Sequence, residues 1–182
     1  QCLGGLTPER FMRDHWQKKP LVVREAFPSW QMPAKGSRPI NKDDVFALSA
    51  DERLPSRFVN SSYELRHGPF RRRQLPSLKT PGWTVLVQQT NAVWPASEAF
   101  LDTFRFIPSC RLDDLMVSLA SDQGGIGAHV DSYDVFLIQA YGCRRWEVAE
   151  TFQPDIQDGL DLKILKRFKP EASYDMHPGD LL

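Results

Sequence analysis

The chain has 182 residues, of which 41% are apolar, and its 23 Lys and Arg residues balance its 23 Asp and Glu residues. A chain of this size and composition can bury one sizeable core, so we expect a single domain over residues 1–182. The balanced charge excludes a global field that would draw the protein onto nucleic acid or an anionic membrane, and direct nucleic-acid binding is not predicted.

Three helices are predicted from capping signals. Thr7 is placed to cap a first helix with proline and glutamate in its first turn, running to about Trp16. A second capped helix is expected to begin near Asn41. A third, over residues 97–106 with Ser97 as its cap, has an apolar face.

Short strand-like runs dominate the chain beyond Leu54, and turn residues separate most of them. A β-branched run at Leu21–Val23 precedes them, and they are Arg57–Asn60, Tyr63–Arg66, Trp83–Gln89, Leu115–Ala120, Tyr133–Ala140 and Arg145–Ala149. This texture favours a sandwich, jelly roll or barrel. We predict an α+β fold in which residues 1–54 form a helical cover and residues 55–182 a jelly-roll core.

The run Tyr133–Ala140 is apolar on both faces, since Val135 and Leu137 alternate with Phe136 and Ile138. A strand of this kind is expected to lie deep inside a sheet. Polar residues that lead into it would then stand at the mouth of a small barrel, where ligand sites form.

His129 and Asp131 directly precede that run. Residues two apart on a strand point to the same face, so the two side chains could share one ion. An imidazole and a carboxylate are two thirds of the 2-His-1-carboxylate triad that binds non-haem iron. The spacing alone is weak, because four histidines and 23 acidic residues produce such a match by chance. The alternative is that His129 is a loop histidine and Asp131 a turn residue.

The strand after Gly142 carries a second signal. Alternation places Arg144 with Trp146 and Val148 on one face, which the apolar neighbours mark as inward. A buried guanidinium needs a carboxylate partner. Asp134 or another protein acid could supply it, and so could a dicarboxylic cofactor such as 2-oxoglutarate, bound in bidentate geometry.

The remaining features suggest an ordinary location. The longest apolar runs are too short to span a bilayer, and no basic region followed by an apolar stretch opens the chain. We therefore expect a soluble, cytoplasmic protein. The cysteines, Cys2, Cys110 and Cys143, are odd in number and widely spaced, so buried free thiols are predicted.

Several segments resemble the bacterial ribosomal oxygenases, which are cupin-fold arginine hydroxylases of the JmjC-like class. The segments are Asp113–Ser118, Gly124–Gln139, Gly142–Trp146, His15–Leu21, His67–Phe70 and Pro178–Leu182. The resemblance extends over nearly the whole chain, and its central block is specific.

The resemblance implies a double-stranded β-helix that binds Fe(II) through His129 and Asp131, with Arg144 on the distal carboxylate of 2-oxoglutarate. The implied reaction couples oxidative decarboxylation of that cofactor to hydroxylation of an arginine on a large-subunit ribosomal protein, at its β-carbon. Histidine hydroxylation, demethylation and a non-catalytic cupin binding module are the alternatives.

A substrate arginine would need an acidic or aromatic receptor near the iron. Asp122 and Tyr141 are placed for this role by their order in the chain. Each also has a plainer interpretation, in which Asp122 is a turn residue and Tyr141 only caps a strand.

The sequence departs from the family pattern at its carboxyl end. In relatives the Pro-Gly-Asp turn leads into a strand with the second iron-binding histidine, whereas this chain stops at Leu182. His177 precedes the turn and is interpreted as a loop residue. We expect a barrel truncated before its last strands, and a homodimer formed by the full-length protein. The alternative is a chain that binds metal poorly.

Overall fold

The computed structural model describes residues 2–31, 39–150, 153 and 155–182. The helices are α1 (Pro8–Asp14), α2 (Lys42–Ser49) and α3 (Ala96–Leu101). The strands are β1 (Ser56–Asn60), β2 (Leu65–His67), β3 (Trp83–Val87), β4 (Val117–Ala120), β5 (Arg144–Val148) and β6 (Ala172–Met176). None of these helices is long and apolar enough to cross a membrane, in the part of the chain that is described.

The described residues group into two compact units. Unit 1 lies within Gln1–Pro39, His129–Ile156 and Leu165–Leu182, and unit 2 within Ile40–Ala128 and Gln157–Ile164. Each unit therefore combines segments that are distant in sequence. The single domain over residues 1–182 stays a prediction.

The first two helix starts are confirmed. The Thr7 side chain accepts a hydrogen bond from the backbone N–H of Arg10 at 3.3 Å, and α1 begins one residue after it. Asn41 forms a capping box with Asp44, in which each side chain accepts from the other residue's backbone N–H at 3.1 and 2.8 Å. These reciprocal bonds satisfy amides that a helix start leaves without partners.

The predicted cap of the third helix is wrong. α3 begins at Ala96, and Pro95 occupies the cap position. Ser97 lies inside the first turn, and its hydroxyl donates to the carbonyl of Trp94 at 2.5 Å. An N-cap hydroxyl must instead accept from an amide two or three residues ahead. The helix is also shorter than predicted: α3 ends at Leu101 and not near residue 106, and a 3-10 turn, Asp102–Phe104, follows it.

Unit 2 contains a four-stranded antiparallel sheet in the order β2-β1-β3-β4. β3 lies between two neighbours, and all five of its residues are buried. Trp83 on β3 packs beside Phe58 on β1 with ring centres 6.0 Å apart, and Phe58 meets Phe70 edge-on at 6.4 Å. The strands predicted here are confirmed, with each end within two residues of its predicted position.

Unit 1 contains an antiparallel pair, β5 and β6, in which Arg144 lies opposite Met176 and Val148 opposite Ala172. β5 was predicted, but β6 was not. The sequence of β6, Ala-Ser-Tyr-Asp-Met, is poor in the β-branched residues that mark strands. Its strand conformation follows from pairing with β5, which is a tertiary effect.

The expectation that Tyr133–Ala140 forms a deeply buried strand is wrong. Tyr133 is 62% exposed and Val135 is 45% exposed. Only residues 137–139 pair, antiparallel to residues 180–182, and residues 179–181 also bond to residues 23–27. The carboxyl segment thus takes the central place in this ladder and residues 137–139 lie beside it. Apolar content on both faces does not fix where in a ladder a strand lies.

The prediction of buried thiols holds only for Cys2. Cys110 and Cys143 are both exposed, and none of the three cysteines forms a disulfide within the described residues. Cys110 lies in a 3-10 turn, and Cys143 follows Gly142, whose φ is 69°. Turns of this kind lie at the protein surface, so the position of the backbone and not the apolar character of the thiol decides how exposed these cysteines are.

Asp180 is the buried anchor of unit 1. Its side chain is 3% exposed, and it accepts hydrogen bonds from the guanidinium of Arg24 at 2.6 Å and from the backbone N–H groups of Glu25 and His177 at 3.0 Å each. Burial alone would raise the pKa of this carboxyl, but these donated bonds and the Arg24 charge outweigh burial and lower the pKa from its ordinary value.

The glycine before Asp180 is required by a close backbone approach. Gly179 has φ 92°, and a Cβ at this position would lie 2.5 Å from the carbonyl oxygen of Phe27. Its N–H donates to the carbonyl of Gln139 at 2.9 Å, and its own carbonyl accepts from the N–H of Phe27 at 2.9 Å. A larger residue would therefore push the segments of the ladder apart.

We expect Asp180→Ala to lower the free energy of unfolding by about 3 kcal/mol, because it leaves buried donors without an acceptor. Urea unfolding measures this change. Asp175→Asn is the matched control, since it removes an exposed ion pair to Arg145 and should change stability far less. Equal effects of the two variants would contradict the anchoring role of Asp180.

The Asp180 contribution should also depend on pH. Because its folded pKa is lowered, the stabilisation is fully present above the unfolded value of about 3.9 and is lost as the pH falls below it. The difference in unfolding free energy between the parent and Asp180→Asn should therefore shrink below about pH 4. A difference that grows on acidification would contradict this assignment.

Candidate metal centre

His129 and Asp131 converge in unit 1. Nε2 of His129 lies 3.6 Å from Oδ2 of Asp131, and the two side chains are 26% and 39% exposed. Two ligands at right angles on an ion about 2.1 Å from each would lie roughly 3.0 Å apart. Small side-chain rotations would close the difference. The donor pair, an imidazole nitrogen and a carboxylate oxygen, fits two positions of a non-haem iron site.

Glycine is required just before this pair. Gly127 has φ 84°, and a Cβ there would lie 2.7 Å from Cε1 of Tyr63 and 3.0 Å from Cδ1 of Ile164. A side chain at this position would be strained by the positive φ and would force the Tyr63 ring to shift, so glycine fits the approach to His129 best.

Within the described ranges, no group of three or more His, Cys, Asp or Glu side chains is arranged to hold a metal. The donor set given by these residues is therefore the pair alone. His177 directly precedes the Pro-Gly-Asp turn, and its exposed position and the bond from its N–H to the Asp180 carboxylate confirm the prediction of a loop residue.

Arg144 lies on the half-buried face of β5. Arg144, Trp146 and Val148 are half-buried while the residues between them are exposed, so the predicted alternation is confirmed. The guanidinium carbon of Arg144 lies 5.9 Å from the ring centre of Trp146. Burial lowers the pKa of Arg144 from its ordinary value. A carboxylate partner would relieve this desolvation.

The neighbouring arginine has the opposite environment. Arg145 is exposed and makes a bidentate ion pair with Asp175 on β6, at 2.7 and 3.0 Å. Asp134, one of the acids considered as a partner for Arg144, accepts a hydrogen bond from the side-chain amide of Gln17 at 3.1 Å. Of the two adjacent arginines on β5, Arg145 forms an ion pair within the sheet, whereas Arg144 lies on the half-buried face.

Asp122 and Tyr141 both have exposed side chains. Asp122 follows the end of β4 in unit 2, and its backbone carbonyl accepts from the N–H of Gly82 at 2.8 Å. Tyr141 is in unit 1 and is 60% exposed. Because they belong to different units, their approach to one substrate stays a prediction.

Gln17 contacts the segment that carries His129 and Asp131, and sequence reasoning missed it. It bonds to Asp134, three residues beyond Asp131. No periodicity or spacing rule relates positions so far apart in sequence. The only available signal was that Gln17 lies within a segment, His15–Leu21, that resembles the ribosomal oxygenases.

Comparison with known proteins identifies relatives over nearly the whole chain. Residues 99–182 match the JmjC domain family. The ribosomal protein uL16 3-hydroxylase of Escherichia coli K12 is 34% identical over 176 residues, which are 94% of this chain and 45% of that protein. The chain thus spans about half the length of this relative.

Solved structures agree. An X-ray structure of E. coli YcfD matches with a TM-score of 0.85 and 32% identity, over 97% of this chain and 46% of that one. A structure of YcfD, described as a ribosomal oxygenase from E. coli in complex with cobalt and 2-oxoglutarate, matches with a TM-score of 0.80 and 32% identity, over 97% and 45%.

These matches confirm the resemblance found in the sequence and the expectation of a JmjC-like cupin fold built from antiparallel sheets. The described strands form two sheets rather than one closed barrel. Residues 99–182 therefore match the JmjC domain family, and nearly the whole chain is similar to about half of the ribosomal oxygenase YcfD of E. coli.

Proposed function

We propose that the protein containing this chain is an Fe(II)- and 2-oxoglutarate-dependent oxygenase that hydroxylates an arginine side chain of a large-subunit ribosomal protein. One observation carries the proposal: the 3.6 Å approach of His129 and Asp131 in a chain 32% identical to an oxygenase whose structure contains cobalt and 2-oxoglutarate. The donor types match those of non-haem iron oxygenases.

His129 and Asp131 would hold the ferrous ion. The imidazole binds metal through Nε2 in its neutral form, and the carboxylate supplies negative charge that favours a divalent cation. Because the pair occupies two positions, others remain open for a chelating cofactor. The third donor of a complete triad is not among the described residues.

Arg144 would bind the distal carboxylate of 2-oxoglutarate. Its guanidinium is already desolvated and offers the paired N–H groups that match a carboxylate in bidentate geometry. When bound, the iron and 2-oxoglutarate supply an oxidant for an unactivated C–H bond, with dioxygen consumed and succinate and carbon dioxide released. Arg144 therefore orients the cofactor, while the metal pair fixes its other end.

Asp122 and Tyr141 would receive the substrate guanidinium. A carboxylate can bind it through charge-assisted hydrogen bonds, and a phenol ring can stack on it through a cation–π contact. The name of the E. coli relative supports a ribosomal protein as the substrate. This substrate class in turn favours action in the cytoplasm, where ribosomes are assembled.

The finer architecture belongs to the same proposal. The TM-score of 0.85 over 97% of the chain supports a double-stranded β-helix core at residues 55–182 with a helical cover at residues 1–54. An incomplete barrel in this chain and a homodimer of the full-length protein complete it.

We expect Arg144→Ala to raise the Kd of 2-oxoglutarate roughly 100-fold in the full-length protein, because a buried charge-assisted contact is lost. Cobalt binding without the cofactor should stay within about threefold. Arg145→Ala, on the exposed face of β5, is the matched control and should retain both affinities, whereas His129→Ala should lose both. Calorimetric titration measures all four proteins. Unchanged 2-oxoglutarate affinity in Arg144→Ala would refute its assigned role.

Incubation of the full-length protein with Fe(II), ascorbate, 2-oxoglutarate and ribosomal proteins should release succinate, and His129→Ala should not.

In a strain that lacks the gene, mass spectrometry should find one ribosomal protein lighter by the mass of one oxygen atom on an arginine. If the same mass difference were found on a histidine, histidine and not arginine would be the substrate residue. If the strain instead retained a methyl group that the parent strain removes, the reaction would be a demethylation. No turnover at all would favour a non-catalytic binding module.

A further inference from the structure

The segment that follows α1 forms a turn closed by its own backbone. The N–H of His15 donates to the carbonyl of Phe11 at 2.9 Å, and the N–H groups of Lys18 and Lys19 both donate to the carbonyl of His15, at 2.8 and 3.1 Å. Gln17 stands at the tip with φ 55°, in the left-handed region that is uncommon for residues other than glycine. These backbone hydrogen bonds therefore define the position from which the Gln17 side chain extends.

That side chain reaches the segment of the metal pair. Nε2 of Gln17 donates to Oδ2 of Asp134 at 3.1 Å. A carboxylate only accepts hydrogen bonds, so the amide nitrogen must face it. Asp134 comes three residues after Asp131, so the bond lies close in sequence to one of the two proposed ligands.

A second contact joins the same two segments. The ring of Phe136 lies 6.0 Å from Phe11 and 6.3 Å from Trp16, and those two rings meet edge-on at 6.1 Å. Phe11 is buried. Aromatic groups at these distances attract one another beyond the area they bury. The amino-terminal segment therefore holds both position 134 and position 136.

Side-chain contacts matter here because residues 129–136 have no strand assignment, and ladder pairing begins only at Leu137. Ligands of a metal must stay within about 0.5 Å of their productive geometry. We infer that Gln17 is a positioning residue for the metal centre: its bond to Asp134 fixes the segment that carries His129 and Asp131. This inference rests on the proposed function, because it assumes that this pair binds the metal.

Cobalt titration of the metal-free, full-length protein, followed by visible absorption, tests the inference without requiring turnover. Partners outside the ligand set commonly change metal affinity 10- to 100-fold, and Gln17 acts one residue contact further away, so we expect Gln17→Ala to raise the cobalt Kd roughly three- to tenfold. Gln17→Glu should weaken binding further, because two carboxylates would then face each other. Lys19→Ala, in the same turn, is the matched control.

The double variant Gln17→Glu/Asp134→Asn exchanges the amide and the carboxylate, restores the hydrogen bond, and should return the cobalt Kd to within about twofold of the parent. A merely structural role would lower the melting temperature of the Gln17 variants without changing the cobalt Kd of the folded protein. The 2-oxoglutarate Kd of cobalt-saturated protein should stay unchanged, which separates the effect from one on Arg144.

The two hypotheses fail differently. Parent-like cobalt affinity in both single Gln17 variants, with loss of binding in His129→Ala, would overturn the positioning role and leave the proposed metal pair intact. Failure of the double variant to recover would overturn it as well, because the hydrogen bond would not be the cause. Parent-like cobalt affinity in His129→Ala would instead refute the proposed function.

Discussion

The buried carboxylate of Asp180 is the constraint on which the rest of unit 1 depends. It accepts from Arg24, Glu25 and His177, and the residues around it lie between two other segments in a backbone ladder. A buried charge is stable only when its bonds are satisfied, so the carboxylate requires the amino-terminal segment to be in place. The same ladder holds residues 137–139, which continue from the metal pair. The contacts that satisfy the Asp180 carboxylate thus also help to place the segment that carries the candidate centre.

The candidate centre combines a firmly paired part with a less regular part. Arg144 is on β5, where five backbone pairs with β6 fix its register and its half-buried face. His129 and Asp131 lie before Leu137, where the backbone pairing of their segment begins, and they depend on side chains from the amino-terminal segment for support. A residue that orients a cofactor benefits from a rigid strand. Metal ligands on a segment without strand pairing need support from side chains instead, which the contacts from the amino-terminal segment supply.

Local signals in the sequence predicted what local physics decides. The caps at Thr7 and Asn41, the strands of unit 2 and the inward face of Arg144 all follow from capping chemistry or alternation. His129 and Asp131 do approach each other to 3.6 Å, but outside any strand, so the strand alternation from which their convergence was predicted is not its cause. The exposure of residues 133–135, the strand β6 and the Gln17 contact depend on which segments meet in three dimensions. Composition carries no information on that, and the family resemblance supplied most of the chemistry that single residues left open.

The ladder around Asp180 also determines when unit 1 can form. Arg24 and Asp180 are separated by 156 positions in the chain, so their ion pair closes one of the longest loops in the fold. Ordering such a loop costs entropy before any contact compensates for it, which slows folding. During synthesis the ribosome must release nearly the whole stretch before the amino-terminal segment finds its acceptor. The segment that carries His129 and Asp131 is joined to this ladder through residues 137–139, so its support there also waits for the carboxyl segment.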